Sequence, residues 1–207
     1  MADLLGDVAK YYTEKLRAHG ETPNGVDWNS EEGQVLRFEQ LAKVIDGSVP
    51  FSISDLGCGY GAFYGYLSKR FSRFAYIGCD VSEAMTEAAA RRFPDANAKF
   101  VVAAEPPESC DFAVASGIFN VKLGSADAEW LKHVHATLDV LDRAGKRGFA
   151  FNCLTSYSDK ERMREDLFYG DPCRLFDLCK RRYSKQVALL HDYGLYEFTI
   201  LVRKPQP

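Results

Sequence analysis

The sequence predicts a mostly parallel, doubly wound α/β sheet of seven strands that ends in an antiparallel hairpin. Three observations carry that prediction. From Phe51 onward, short apolar runs alternate with helical stretches, as they do where parallel strands are joined through helices. The first of these runs leads straight into a glycine-rich turn, Gly57-Cys58-Gly59-Tyr60-Gly61, from which a helix opens. Near the C-terminus two strand-like runs are separated only by His191-Asp192-Tyr193-Gly194-Leu195, a gap that permits a hairpin and forbids a parallel crossover.

The elements follow in order. Asp3 to Ala18 is helical in period, with Leu4, Val8, Tyr11/Tyr12 and Leu16 spaced for one face and His19-Gly20 as its stop. Residues 20–30 are rich in turn formers and read as irregular. A second helix starts from Ser30 as N-cap and carries Val35, Phe38, Leu41, Val44 and Ile45 toward a core. Strands are expected at Phe51–Asp55, Phe74–Cys79, Lys99–Ala103, Asp111–Ala115 and Gly148–Cys153. Helices are expected at Ala62–Arg70, Ser82–Phe93 and Asp127–Arg143, and the hairpin at Gln186–Leu190 and Tyr196–Val202. Residues 1–48 are expected to cover a core formed by residues 49–207, within one domain.

Composition narrows the function. Apolar residues make up 46% of the 207 and charged residues 27%, the balance of a globular protein with a real core. A net charge of −3 argues against a broad phosphate-binding face, so no nucleic-acid partner is expected. No apolar stretch is long enough to span a bilayer, and the first residues carry acid where a secretory signal carries base; a cytoplasmic protein without a membrane partner is expected. Six cysteines include no Cys-x-x-Cys pair, and His133 and His135 stand two apart on a helix, which is wrong for chelation. No metal site is expected.

The glycine turn lets a ligand approach the main chain without a Cβ in the way. By itself it is ambiguous, since Gly57-x-Gly59-x-x-Ala62 also fits a dinucleotide fingerprint, and a tight turn without any ligand has the same glycines. Asp55, at the end of the first strand and under the loop, separates the readings. A pyrophosphate there feels repulsion, whereas a ligand with an ammonium and a sulfonium feels attraction. Asp80, just after the second strand, is placed to accept hydrogen bonds from both hydroxyls of an adenosine ribose.

These residues resemble the class I S-adenosylmethionine (SAM)-dependent methyltransferases. The run Ile53-Ser54-Asp55-Leu56-Gly57-Cys58-Gly59-Tyr60-Gly61 is similar to the family's first motif. Residues 76–85, from Tyr76 to Met85, look like its second motif, and Asp111 to Gly117 like its fourth. The likeness extends over roughly residues 51–202, because the final hairpin matches the antiparallel seventh strand of this Rossmann-like fold. The resemblance implies SAM as cofactor and S-adenosylhomocysteine as product. It implies that Gly57, Cys58, Gly59, Tyr60 and Gly61 hold the methionine part with Asp55 nearby, that Asp80 takes the ribose, and that Val81 and Met85 line the adenine. The family's acid after the third strand is missing from Val101-Val102-Ala103-Ala104-Glu105; backbone groups of Ala103 and Ala104 or the carboxylate of Glu105 stand in for it. Ser116 and Gly117 close the cofactor side, and Ser116-Gly117-Ile118-Phe119-Asn120 departs from the Asn/Asp-Pro-Pro-Tyr/Phe form linked to amide and exocyclic nitrogens.

Further candidates come from position. Arg37 sits on the helix leading into the first strand and is a candidate for the cofactor carboxylate, with a solvated helix arginine as the alternative. Trp28 is either a plug against the sheet or part of a lid. Asn120, Asn152 and Tyr157 follow strands whose carboxyl ends face the ligand, so they and Trp28 are expected at the substrate. A general base is optional, with His191 and Asp27 as candidates. A small-molecule methyl acceptor is expected. The rival readings are an NAD(P)-dependent oxidoreductase, which lacks an evident substrate domain here, and a non-catalytic SAM- or nucleotide-binding module.

Overall fold

The computed structural model describes residues 2–205. Strands β1 (Phe51–Leu56), β2 (Phe74–Asp80), β3 (Ala98–Val102), β4 (Cys110–Ala115), β5 (Gly145–Leu154), β6 (Gln186–Leu190) and β7 (Glu197–Arg203) form one sheet in the order β3-β2-β1-β4-β5-β7-β6. The first five are parallel, and β7 runs antiparallel between β5 and β6. The expected parallel sheet with its terminal hairpin is present.

Helices cover both faces, which is why the central strands are apolar without alternation. On one face, Phe38 and Leu41 of α2 (Glu31–Ala42) and Phe63 and Leu67 of α3 (Ala62–Ser68) pack on Ile53, Phe112 and Val114. On the other, Trp130, Val134 and Leu138 of α5 (Asp127–Ala144) join Leu175 and Cys179 of α6 (Pro172–Arg182) over Ala113, Phe149 and Phe151. Helix α4 (Glu83–Arg92) packs beside β2 and β3. Among the described residues no helix is long and apolar enough to cross a membrane.

Local chemistry sets the boundaries. Ser30 caps α2 as expected, its hydroxyl accepting from the Gly33 N–H at 3.0 Å, with Glu31 and Glu32 in the first turn facing the positive helix end. That helix stops at Ala42, so Val44 and Ile45 pack from the turn beyond it. Helix α6 has no counterpart among the expected elements; Asp171 caps it and Pro172 opens it.

Helix α1 (Ala2–His19) and a 3-10 turn at Pro23–Val26 lie over the carboxyl ends of β1 and β2. Asp27, in the left-handed region at φ 64°, ends the turn and ties it to α1 by accepting from Tyr11 Oη (2.5 Å) and Lys15 Nζ (2.6 Å). Helix α2 packs on β5, β7 and α3.

Candidate functional site

The carboxyl ends of β1, β2 and β4 and the underside of α1 enclose a cleft of about 130 Å³. The glycine loop forms its floor. Gly57 (φ 76°) and Gly59 (φ 54°) are left-handed, and a Cβ on Gly57 would fall 2.1 Å from Ile118 Cγ2. The loop is held to the neighbouring strand: the N–H groups of Gly57 and Cys58 both donate to the Cys79 carbonyl, at 2.7 and 3.0 Å. Asp80 completes the anchoring. Its Oδ2 accepts from the Gly59 N–H and its Oδ1 from the Ser82 N–H, both at 2.9 Å. One carboxylate thus fixes the loop after β1 and the start of α4 while its remaining lone pairs face the cleft.

Two buried polar atoms in the cleft wall have no protein partner, Asp55 Oδ1 and Ser116 Oγ. The other Asp55 oxygen accepts from Tyr76 Oη at 2.5 Å. Burial pushes the Asp55 carboxyl up to about 7, the Tyr76 hydroxyl opposes that shift, and the Asp80 charge adds to it. Asp80 is raised by burial too, against the N–H groups of Ser82 and Gly59. Among the described residues, no lysine or arginine lines the cleft. Such a site disfavours a pyrophosphate and favours a ligand with cationic centres. The orphaned oxygens and the glycine cradle fit the SAM that the resemblance implies.

The structure brings most of the expected residues together. Asp55, Gly57, Cys58, Gly59 and Tyr60 line one side of the cleft, and Asp80, Val81 and Met85 another. Ala103 and Ala104 line it after β3, Ser116 and Gly117 after β4, and Trp28 closes it from above. Gly61 stands outside, as the left-handed N-cap of α3 packed on Phe93 and Ala89. Glu105 is also outside, exposed and paired with Arg143 at 3.3 Å, which leaves Ala103 and Ala104 at the cleft after β3.

Four expectations are corrected. Arg37 does not reach the cleft: its Nε donates to Glu197 Oε2 at 2.8 Å and its guanidinium lies 3.9 Å from the Trp28 ring centre, behind that ring. Asn120 and Asn152 are buried in the wall, because burial obliges both ends of each amide to find partners inside the protein. Asn152 accepts from the Gly117 N–H (2.6 Å) and Asn120 from the Leu154 N–H (3.0 Å), and both donate to Glu197. Tyr157 is 68% exposed, with its ring against His191 and away from the cleft. The candidate bases His191 and Asp27 lie outside it too.

Other residues reach the cleft unforeseen. Tyr12 of α1 lines it, its hydroxyl held protonated by burial and by the nearby Asp27 charge. Gln34 meets Tyr60 Oη at 3.3 Å. Trp130, His133 and Thr137 of α5 line it together, and their three- and four-residue spacing on one helix face was the available signal. Burial lowers the His133 pKa and keeps that imidazole neutral.

Comparison with known proteins agrees with the motifs. A family model described as a methyltransferase domain matches residues 53–145. A Mycobacterium tuberculosis protein named "Putative methyltransferase Rv1506c" is 63% identical over 163 residues, covering 78% of this chain and 98% of the relative. Magnesium protoporphyrin IX methyltransferase (ChlM) from Synechocystis PCC 6803, solved with bound S-adenosylhomocysteine, superposes with a TM-score of 0.63 at 14% identity, over 84% of each chain. The O-methyltransferase NcsB1 of neocarzinostatin biosynthesis, solved with SAM and 2-hydroxy-5-methyl naphthoic acid, gives 0.57 at 15% identity over 96% of this chain and 68% of its own. By motif, fold and relatedness, the chain belongs to the class I SAM-dependent methyltransferases.

Proposed function

We propose that the chain transfers a methyl group from SAM to a small-molecule acceptor inside the cleft beneath α1. The observation that carries this reading is the pair of carboxylates, buried Asp55 with an unpartnered oxygen and half-buried Asp80, in a cleft without lysine or arginine among the described residues. When bound, SAM supplies an already activated sulfonium methyl, so that alignment and a dry site do most of the work. Asp80, oriented by Gly59 and Ser82, accepts the ribose hydroxyls. Asp55 faces the ammonium group and becomes ionised beside it. Gly57 and Gly59 let the main chain approach the methionine part, Val81 and Met85 flank the adenine, and Ala103 and Ala104 present backbone groups to its edge.

The acceptor side is formed by Trp28, Ile118 and Phe38, with Tyr12 as a neutral hydrogen-bond donor. The net charge of −3 supports a small-molecule acceptor over nucleic acid. His133 is the imidazole that lines the cleft among the described residues, and burial lowers its pKa, which disfavours its protonated form. Calorimetric titration with SAM, S-adenosylhomocysteine and NADH in turn tests the reading. Binding of the first two and not the third is expected; binding of NADH with no SAM binding overturns it.

A further inference from the structure

Glu197, the first residue of β7, is 1% exposed and does not line the cleft, yet three residues packed behind the cleft wall converge on it. Its Oε2 accepts from Arg37 Nε (2.8 Å) and Asn152 Nδ2 (3.1 Å), and its Oε1 from Asn120 Nδ2 (3.2 Å). Each donor is tied at its other end. Asn152 accepts from the Gly117 N–H, Asn120 donates its own N–H to the Gly117 carbonyl at 3.1 Å, and the Arg37 guanidinium lies over the Trp28 ring. Trp28 and Gly117 meet closely: a Cβ on Gly117 would fall 2.4 Å from Trp28 Cζ2. The indole is therefore clamped between the Arg37 guanidinium and the Gly117 main chain, and both jaws are anchored on one carboxylate.

Burying an ion pair is an expensive way to stabilise a core, since apolar side chains of similar volume do as well or better. What a charged hub supplies is direction: several donors held at fixed angles by one acceptor. We infer that Glu197 is the positioning residue of the Gly117–Trp28 edge of the cleft, holding both in register from behind the wall they form. This rests on the proposed function for its purpose, because that edge bears on the cofactor only if the cofactor lies in the cleft. The mechanical part, that Glu197 clamps Trp28, is independent of any ligand.

The two parts are tested separately. Trp28 and Trp130 are the protein's two tryptophans, and Trp130 is 1% exposed with its Nε1 bound to the Phe119 carbonyl at 2.8 Å. Acrylamide quenching of intrinsic fluorescence therefore reports chiefly on Trp28, with Trp28→Phe as the control. In Glu197→Gln, an isosteric change that removes the charge, Trp28 becomes more quenchable and S-adenosylhomocysteine binds roughly fivefold more weakly or worse by calorimetry. Arg37→Met, which removes one jaw and leaves Glu197 its two asparagine donors, gives the same pair of changes and serves if the first variant does not fold. A merely structural glutamate lowers the melting temperature and moves neither readout in the folded protein; that result overturns the inference. Increased quenching with unchanged S-adenosylhomocysteine affinity overturns the positioning role. If the wild type does not bind S-adenosylhomocysteine at all, it is the cofactor reading that fails, and quenching alone decides the clamp.

Discussion

Replacing Asp55 by Asn makes the free protein more stable and the cofactor complex weaker, two effects of opposite sign from one atom. In the free protein the buried carboxyl titrates at about 7, against 3.8 for an ordinary aspartate, because burial outweighs the Tyr76 hydrogen bond. A raised carboxyl favours the folded state fully below its unfolded pKa, and that contribution is lost as pH climbs from about 4 through 7. The gap in pKa corresponds to a loss on the order of 4 kcal/mol at pH 8, before discounting for water in the cleft. Asn keeps the acceptor for Tyr76 Oη and has no charge to bury, so Asp55→Asn gains up to that amount at pH 8 and little at pH 4. Asp80 and Glu197 are raised by burial as well and give the wild type a slope of the same sign, so the difference between the two proteins isolates Asp55. SAM behaves conversely. Losing a charged partner for its ammonium costs about 1.5–3 kcal/mol, roughly 10- to 100-fold in affinity at pH 8. The wild-type affinity should rise more steeply between pH 6 and 8 than that of the variant, which keeps Asp80 alone. Urea unfolding at pH 5 and 8, with calorimetry at both, measures all of this. A variant less stable than wild type at pH 8, or one that binds SAM equally well there, refutes the reasoning.

Further perturbations follow from the same geometry. Asp80→Ala removes the ribose acceptor and the anchor of the Gly59 and Ser82 N–H groups, so SAM should weaken at least ~30-fold; an unchanged calorimetric affinity in folded protein removes the assignment. Gly59→Val forces a branched side chain into a left-handed backbone with Val26 Cγ1 only 3.1 Å from the new Cβ, and cofactor binding should vanish; retained binding places the ligand elsewhere. Arg37 and Gly117 hold Trp28 in the free protein, so Trp28→Ala should cost about 3–5 kcal/mol in urea unfolding; a loss near zero makes Trp28 a loosely held lid residue instead.

Much of the cofactor side was legible in the sequence because its determinants are local. A glycine needed for a left-handed turn, and an acid one residue past a strand, announce themselves in short windows, and Asp55, Gly57, Gly59 and Asp80 meet in the structure as spacing implied. The Trp28 edge of the cleft depended on contacts across the chain. Arg37 and Glu197 are 160 residues apart, and nothing near either one signals the other. Asn120 and Asn152 stand at strand ends that face ligands, yet a buried carboxylate from the hairpin claims their amides. Tyr12 and His133 were hidden for a different reason: aromatic residues on amphipathic helices read as core until the opposing surface is known.

The central claim, that SAM lies in this cleft with its ammonium met by Asp55 and its ribose by Asp80, is tested most directly by a crystal structure of the protein with S-adenosylhomocysteine. The account predicts the ribose hydroxyls within hydrogen-bonding distance of Asp80, and the amino group on the side of Asp55 with its Oδ1 no longer unpartnered. It also predicts the adenine edge at Ala103 and Ala104, and Trp28 still lying on Gly117. Density for the nucleoside outside the cleft, or a ribose held by groups other than Asp80, contradicts it.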